Sequence, residues 1–302
     1  MPKNLSCRLL MPLMLLSLSM MLSAQLALRL TPDKQRYQCF EPVVVRLTIS
    51  NVSGNTLEFG GDTRATQGKV NFIVDRVSGR HSRKFSNMSN PAATLKLAPG
   101  ETKELKLILN QYFDMQQEDN YTIRATVSHG RLPRTHISDP VRIDIRDGFV
   151  IATRNIGLPS KSNSDVIKPV QINLMRFSDV DEEIYSLRAE DEENVYAVLR
   201  LGPYINGHKP QLELDDSCLF HALLQIRSRL YAYYIFGFEG RNMKLLQKRF
   251  YVSADGIPPR LSKSNGYLRI THARLARNGV DYFEETGAPA SAPAAAPADA
   301  KR

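Results

Sequence analysis

Residues 119–127 have the sequence DNYTIRATV, and their pattern is the clearest indication of the fold in the first half of the chain. Apolar side chains occupy every second position, at Tyr121, Ile123, Ala125 and Val127. Because successive side chains of a β-strand point to opposite faces, this period of two predicts a strand with one buried face. A helix would place its apolar residues three or four positions apart.

The same alternation recurs on both sides of this stretch, in residues 70–77, 105–109 and 141–145. Turn-forming clusters separate such runs, among them NVSG at 51–54 and Pro99-Gly100. About seven or eight short strands in about 120 residues, without a convincing helix, are typical of an antiparallel β-sandwich. We therefore expect an all-β fold.

A resemblance to a known family supports this expectation. The motifs LTPD at 30–33, EPVVV at 41–45, LAPGE at 97–101 and DNYTIRA at 119–125 resemble those of many bacterial secreted immunoglobulin-like domains. The resemblance implies an N-terminal immunoglobulin-like β-sandwich over residues 25–147. It implies little about function, because such sandwiches have many roles.

Two positions within the resemblance carry specific structural expectations. Tyr121 corresponds to a tyrosine corner, whose ring packs in the core while its hydroxyl bonds a backbone group upstream. Phe40 stands where these domains usually have glycine, and Cys39 precedes it. We therefore expect the turn before the second strand to differ from that of the family.

The rest of the chain divides into three segments. Residues 148–170 are polar and contain glycine and proline breakers, which predicts a connector that either hangs free or lies on the surface of the second domain. Residues 171–286 are β-rich again and predict that second domain, either a β-meander or a second sandwich. Residues 287–302 are rich in alanine and proline, which predicts a disordered tail.

The N-terminus has the pattern of a secretory signal peptide over residues 1–24. A basic start precedes an uncharged run from 9 to 28, and LSAQ at 22–25 supplies small residues for cleavage. An uncleaved anchor is the alternative, since twenty uncharged residues suffice to span a bilayer. The period-2 alternation in residues 26–30 indicates a strand instead and favours cleavage. We expect a periplasmic or secreted protein, not integral to the membrane after cleavage.

Composition narrows the class further. The chain has 302 residues, 42% of them hydrophobic, with 40 Lys plus Arg against 31 Asp plus Glu. Loss of residues 1–24 leaves a net charge of +7, of which 25–147 hold +5 and 148–286 hold +1. The two cysteines that remain, Cys39 and Cys218, permit one disulfide. We favour two inert thiols, because strand-like residues flank Cys218 and predict that its thiol is buried.

The positive excess of the first domain is concentrated in one predicted hairpin. Such a patch attracts anionic lipid headgroups, lipopolysaccharide or acidic polysaccharide, whereas a secreted protein seldom meets nucleic acid. The alternative, which the sequence favours, is a soluble edge hairpin whose charges discourage strand addition. The candidate contact residues are Arg76, Arg80, His81, Arg83 and Lys84.

Other reactive side chains give weak signals. Cys218 and His221 are three positions apart, which on a strand places them on opposite faces and prevents a direct hydrogen bond. His129 and His136 flank a predicted turn without an obvious third metal ligand. The acidic residues at 179–183 predict a solvated face more than a calcium loop. No phosphate loop, nucleophile elbow or dinucleotide motif is present, and we predict no cofactor.

These observations favour a non-enzymatic binding or structural module that contacts an envelope protein or glycan through loops or a sheet edge. One alternative is a sandwich-type protease inhibitor that uses the loop at 60–68 or the loop at 87–93. Another is a carbohydrate-active enzyme that uses a carboxylate in the second half. The carboxylates considered are Asp215, Asp216 and Glu239.

Overall fold

The computed structural model describes residues 25–63, 66–79, 81–85, 89–159 and 167–283. The signal peptide predicted over 1–24 and the disordered tail predicted over 287–302 lie outside these residues.

The first half of the described chain consists of short strands and one short 3-10 helix at Leu109–Gln111. The strands are β1 (Leu26–Pro32), β2 (Arg36–Gln38), β3 (Val44–Asn51), β4 (Leu57–Glu58), β5 (Gly68–Arg76), β6 (Lys96–Leu97), β7 (Thr102–Ile108), β8 (Asp119–His129), β9 (His136–Ile137) and β10 (Val141–Arg146).

These strands form two main sheets, with orders β1-β3-β7 and β2-β10-β8-β5. Strand β9 extends the second sheet beside β8, and β4 and β6 pair separately. Lettered in chain order as in immunoglobulin domains, β1-β3-β7 corresponds to A-B-E and β10-β8-β5 to G-F-C. The expected immunoglobulin-like sandwich is therefore confirmed.

The core of this sandwich is built from the alternation that the sequence predicted. Tyr121, Ile123, Ala125 and Val127 on β8 are all fully buried, and they share one hydrophobic cluster with side chains from the facing sheet, such as Leu47. Full burial of a large apolar side chain contributes about 1.5–3 kcal/mol. One whole face of this central strand is therefore buried in the core.

The two specific expectations have different outcomes. The Tyr121 hydroxyl donates to the carbonyl of Gln117 at 2.9 Å, four residues upstream, so the tyrosine corner is present. Phe40 has a φ of 67°, in the left-handed region that glycine favours. The chain thus keeps a glycine-like backbone conformation at this turn, although the residue there is phenylalanine.

The second half of the described chain also consists of strands. They are β11 (Phe149–Pro159), β12 (Ile167–Ser178), β13 (Glu183–Glu190), β14 (Val195–Pro203), β15 (Gln211–Leu214), β16 (Phe220–Arg227), β17 (Leu230–Glu239), β18 (Asn242–Ser253), β19 (Arg260–Ser264), β20 (Tyr267–Thr271) and β21 (Ala273–Leu275).

Two antiparallel sheets account for most of these strands, with orders β11-β12-β13-β14 and β15-β16-β17-β18-β21. Strands β11 to β14 lie side by side in chain order in the first of these sheets, and strands β15 to β18 do so in the second. Each sheet is therefore a meander. Side chains from both sheets, including Leu187 on β13 and Tyr234 on β17, belong to one buried cluster. The second half is therefore a sandwich of two meanders, which combines both predicted forms.

Strand β17 is buried on both faces, because the β19–β20 hairpin covers the outer face of its sheet. Ala232, Tyr234 and Phe236 pack into the sandwich core, whereas Tyr231 and Tyr233 face outward. The side chains of Leu261 on β19 and Ile270 on β20 pack onto that outward face, together with Leu223. The hairpin thus forms a third layer over part of the sheet.

The prediction of a connector over 148–170 requires correction, because residues 149–159 and 167–170 are strand residues of a long hairpin. Alternation is present in β11, where Ile156 is buried and Ala152 and Leu158 pack against the core. Arg154 shares this parity, and the other side carries the polar residues Thr153 and Asn155 next to it. An edge strand buries few side chains, so the apolar alternation of β11 is weak. This is why the sequence indicated a connector here.

Candidate functional site

The predicted basic patch is divided by the structure. Arg76 donates to Gln117 at 2.7 Å, and its guanidinium lies over the ring of Tyr121, 5.7 Å from the centroid. It also lies near the carboxylate of Asp114, and its side chain is mostly buried. Arg76 therefore supports the tyrosine corner and presents little charge to solvent.

The remaining residues of the patch differ in their engagement. The exposed His81 contacts the carboxylate of Asp75 at 2.5 Å. Arg83 and Lys84 are exposed and have no ion-pair partner within the described part of the chain. Arg80 lies outside the described residues. An anionic ligand here would meet mainly the charges of Arg83 and Lys84.

The free edge of β11 is a surface of a different kind. This strand pairs with β12 alone, so its other side has no partner strand within the described residues. At its start, the side chains of Phe149, Val150 and Ile151 are 73%, 53% and 37% exposed. The register shifts between Val150 and Ala152 and then continues unbroken to Pro159. Three consecutive exposed apolar residues thus precede a regular edge.

The start of β11 is fixed at the junction between the two sandwiches. A Cβ at Gly148 would lie 3.0 Å from the carbonyl oxygen of Arg176 and 3.1 Å from the Gln38 side chain, so little room remains there. Arg188 on β13 donates to Asp147 at 2.7 Å. Burial alone lowers the pKa of Arg188, but hydrogen bonds and charges from Asp147 and Glu190 outweigh it and raise the pKa overall.

A buried ion pair joins the sandwiches close by. Arg200 on β14 donates to both carboxylate oxygens of Glu41, at 2.8 and 3.0 Å, and to the carbonyl of Arg36 at 2.9 Å. Glu41 is buried and also accepts from Lys34 and from the backbone N–H of Gln38. We call Arg200, Glu41 and Arg36 the junction clamp.

The surroundings of Arg200 favour its charged form. Burial alone lowers the pKa of Arg200, but Glu41 and Asp179 counteract burial and raise it overall. The guanidinium also lies over the ring of Phe177, 5.2 Å from the centroid. From the first sandwich, Arg36 donates to the carbonyls of Ser178 and Asp179. Hydrogen bonds are therefore donated across the junction from each sandwich to the other.

A second buried polar group lies under the β19–β20 hairpin. Asp215 contacts Nε2 of His221 at 3.0 Å, and Nδ1 of His221 contacts the Tyr233 hydroxyl at 2.5 Å. Asp215 also accepts the backbone N–H groups of Ser217 and Leu219, which closes the turn before β16. Burial alone raises the pKa of Asp215, but these bonds outweigh it and lower the pKa overall. Burial raises the pKa of Tyr233 to about 12.

The carboxylates considered for a carbohydrate-active enzyme have separate environments. Asp215 is buried in the turn before β16, whereas Asp216 and Glu239 are exposed and pair with Lys263 and Lys244. The sequence did not predict the contact of Asp215 with His221, because their spacing of six carries no motif.

The two cysteines among the described residues, Cys39 and Cys218, are free thiols. Cys39 is buried in the first core, and burial raises the pKa of its thiol to about 12. Cys218 is exposed, contrary to the strand-like burial suggested by its neighbours. It lies in the turn between Asp215 and Leu219 with a φ of 60°, so it does not share a strand with His221.

The two loops considered for protease inhibition lie side by side. A Cβ at Gly60 would lie 2.3 Å from the backbone oxygen of Ala93, which shows direct contact between their ends. Within the first loop, Thr66 donates its N–H to Thr63 at 2.9 Å. Residues 64–65 and 87–88 lie outside the described residues.

The structure also places the two histidines and the acidic residues that the sequence singled out. His129 is buried and bonded to the carbonyl of Glu58 and the N–H of Arg131, while His136 pairs across from Val127. The acidic turn at 179–182 lines an open cleft of about 580 Å³ at the junction. Across the described ranges, no group of three or more His, Cys, Asp or Glu side chains is placed to hold a metal ion.

No protein-family model matches the chain, and no curated protein matches it. A search of the described residues for helices long and apolar enough to cross a membrane finds none.

Proposed function

We propose that this chain is a non-enzymatic, secreted or periplasmic binding module that holds an envelope protein through the free edge of β11. The observation that carries the proposal is the combination of an unpaired strand edge with three exposed apolar side chains, Phe149, Val150 and Ile151. An extended segment of another protein adds to such an edge by backbone hydrogen bonds, while neighbouring side chains supply specificity.

The edge is suited to a limited, specific pairing. The register shift near Ile151 interrupts the ladder, and eight residues from Ala152 to Pro159 then run in unbroken register. A shift at one end and a proline at the other limit open-ended pairing of the kind that leads to aggregation. The edge therefore accepts a partner strand of restricted length.

Rigidity at the junction supports the same function. Gly148 packs closely against Arg176 and Gln38, and the Asp147–Arg188 ion pair holds the adjacent backbone. A surface held in its binding conformation loses less conformational entropy when a partner docks. The apolar residues at the start of β11 are therefore a preorganised contact point.

The test is capture from the envelope fraction of the source cells, with the chain from residue 25 immobilised and lightly cross-linked. Captured proteins are identified by mass spectrometry, and the cross-linked peptides are mapped. Val150→Lys places a charge on the edge, and Val52→Lys is the matched control, since Val52 is 55% exposed and lies in the first sandwich.

The proposal predicts one reproducible protein that cross-links within 149–159, is lost with Val150→Lys and is retained with Val52→Lys. Equal retention by both variants contradicts the role of the edge. Capture of no protein contradicts stable binding, and capture of a protease that cross-links to the loops at 60–68 and 87–93 supports the inhibitor alternative.

A further inference from the structure

Charge in the second sandwich is strongly segregated along the chain. Residues 241–280 contain nine Lys or Arg and a single acidic residue, Asp255, whereas 148–240 contain nine basic and thirteen acidic residues. The net charge of +1 over 148–286 combines these two regions with residues 281–286, which contain three further acidic residues, and it hides the basic region. Clustered charge of one sign attracts anionic ligands over distances longer than a hydrogen bond.

The β19–β20 hairpin lies within this basic region and has two distinct faces. Its loop is Asn265-Gly266, and both residues have positive φ, as the tight two-residue turns of hairpins require. Directly opposite residues of an antiparallel pair share a face. The register therefore assigns Leu261 with Ile270 to one face, and Ser262 with Arg269 to the other.

The apolar face is fixed against the sheet. Leu261 and Ile270 pack onto the cluster that includes Tyr231 and Tyr233. The backbone N–H of Leu261 donates to Gln211 on β15 at 2.7 Å, and Lys263 pairs with Asp216 at 2.6 Å. Because this face is anchored by packing, a hydrogen bond and an ion pair, the opposite face is held toward solvent.

The solvent face carries two arginines and an exposed aromatic ring. Arg260 and Arg269 occupy diagonal positions, about 7–8 Å apart in such a pair. Both are exposed, and neither has an ion-pair partner among the described residues. Tyr267 on the same face is 64% exposed. The other members of the face all carry hydroxyl groups: Ser262, Ser264 and Thr271.

We propose that this face binds an acidic polysaccharide. Guanidinium groups pair with carboxylates through two parallel hydrogen bonds, and an exposed tyrosine ring offers a flat surface for a sugar ring. The serine and threonine hydroxyls match the hydroxyl groups of a sugar. A bilayer surface fits less well, since the face lacks the aliphatic side chains that insert among lipids. This surface is separate from the β11 edge and does not depend on the function proposed for it.

The experiment measures binding of a fluorescent oligogalacturonate by anisotropy, with the chain from residue 25. Arg260→Gln/Arg269→Gln is compared with Arg83→Gln/Lys84→Gln, which removes the same charge from exposed positions on the first sandwich. We expect about a tenfold weaker affinity for the first pair and little change for the second. Tyr267→Ala lowers the affinity by a similar factor, whereas Tyr267→Phe retains it because the ring remains.

Other results overturn the proposal in distinct ways. Equal losses in the two charge pairs indicate attraction by net charge alone, and a loss confined to Arg83→Gln/Lys84→Gln places the anion site on the first sandwich. Tighter binding to phosphatidylglycerol vesicles or to single-stranded DNA, lost with Arg260→Gln/Arg269→Gln, replaces the polysaccharide by that ligand. A neutral maltodextrin of equal length that binds as tightly shows that charge is not recognised. Absence of binding even at about 50 mM salt refutes the site.

Discussion

Replacement of Arg200 by methionine tests whether the junction clamp stabilises the whole chain. Arg200→Met keeps most of the side-chain volume but removes three hydrogen bonds that cross from β14 to the first sandwich. Loss of one partner of a buried ion pair typically costs about 3–5 kcal/mol, because the other charge remains buried. Lys34 and the N–H of Gln38 still bond Glu41, so we expect a loss of about 2–3 kcal/mol.

The assay is urea unfolding at pH 7, followed by tyrosine fluorescence and far-ultraviolet circular dichroism. Arg154→Met is the matched control, since Arg154 forms an ion pair with Glu213 in which both side chains are more than 40% exposed. Exposed pairs contribute about 0–1 kcal/mol. The same substitution at the two sites therefore separates the effect of burial from that of the lost arginine.

A double-mutant cycle with Glu41→Gln completes the test. If the two residues act as a pair, the losses from Arg200→Met and Glu41→Gln are not additive, and the coupling is about 1–3 kcal/mol. Additive losses, or a loss for Arg200→Met no larger than that for Arg154→Met, would show that Arg200 and Glu41 do not act as a stabilising buried pair.

Three further predictions concern single residues. Gly266→Ala adds a Cβ 2.3 Å from the Asp216 carboxylate at a backbone φ of 81°. We therefore expect urea unfolding to show a free energy of unfolding lower by about 1–3 kcal/mol, and an unchanged stability contradicts the tight turn. The pKa of Asp215 is lowered by folding, so its ionised form adds stability that is present above about pH 4 and is lost as the pH falls through the folded pKa. Asp215→Asn therefore destabilises the chain at pH 7. Between about pH 4 and about pH 2 the variant loses less further stability than the parent, as measured by urea unfolding at each pH. Parallel curves of the free energy of unfolding against pH contradict this. Maleimide labels the exposed Cys218 in the native chain and labels the buried Cys39 only after unfolding, as peptide mass spectrometry shows, and native labelling of both contradicts the burial.

The first sandwich was predictable from sequence because its signals are local. The alternation at Tyr121 to Val127 specifies a buried face within one strand, and the tyrosine corner reaches only as far as Gln117. The left-handed conformation of Phe40 was not predictable from its own side chain, since phenylalanine disfavours positive φ. The neighbouring backbone is held from a distant part of the chain, since the Cys39 N–H donates to the carbonyl of Arg146 at 2.8 Å.

The second sandwich was predictable only in class. Strand β11 carries a weak alternation because an edge strand buries few side chains, so polarity alone resembled a connector. Cys218 was misplaced because a turn closed by Asp215 interrupts what resembles one continuous strand. The basic region was missed because its charge was averaged with an acidic region, and a count over about 40 residues would have found it. Which residues face solvent on the β19–β20 hairpin depends on strand pairing, which one sequence does not give.

The junction clamp also has a consequence for the order of folding. Arg200 and Glu41 are separated by 159 positions in the chain, so their contact forms only after most of the polypeptide is available. Domains fold largely from the N-terminus during synthesis or export, and contacts distant in sequence form late. Before β14 is available, the carboxylate of Glu41 in the first sandwich therefore has only Lys34 and the N–H of Gln38 as partners among the described residues. Arrival of β14 completes its set of bonds and joins the second sandwich to the first.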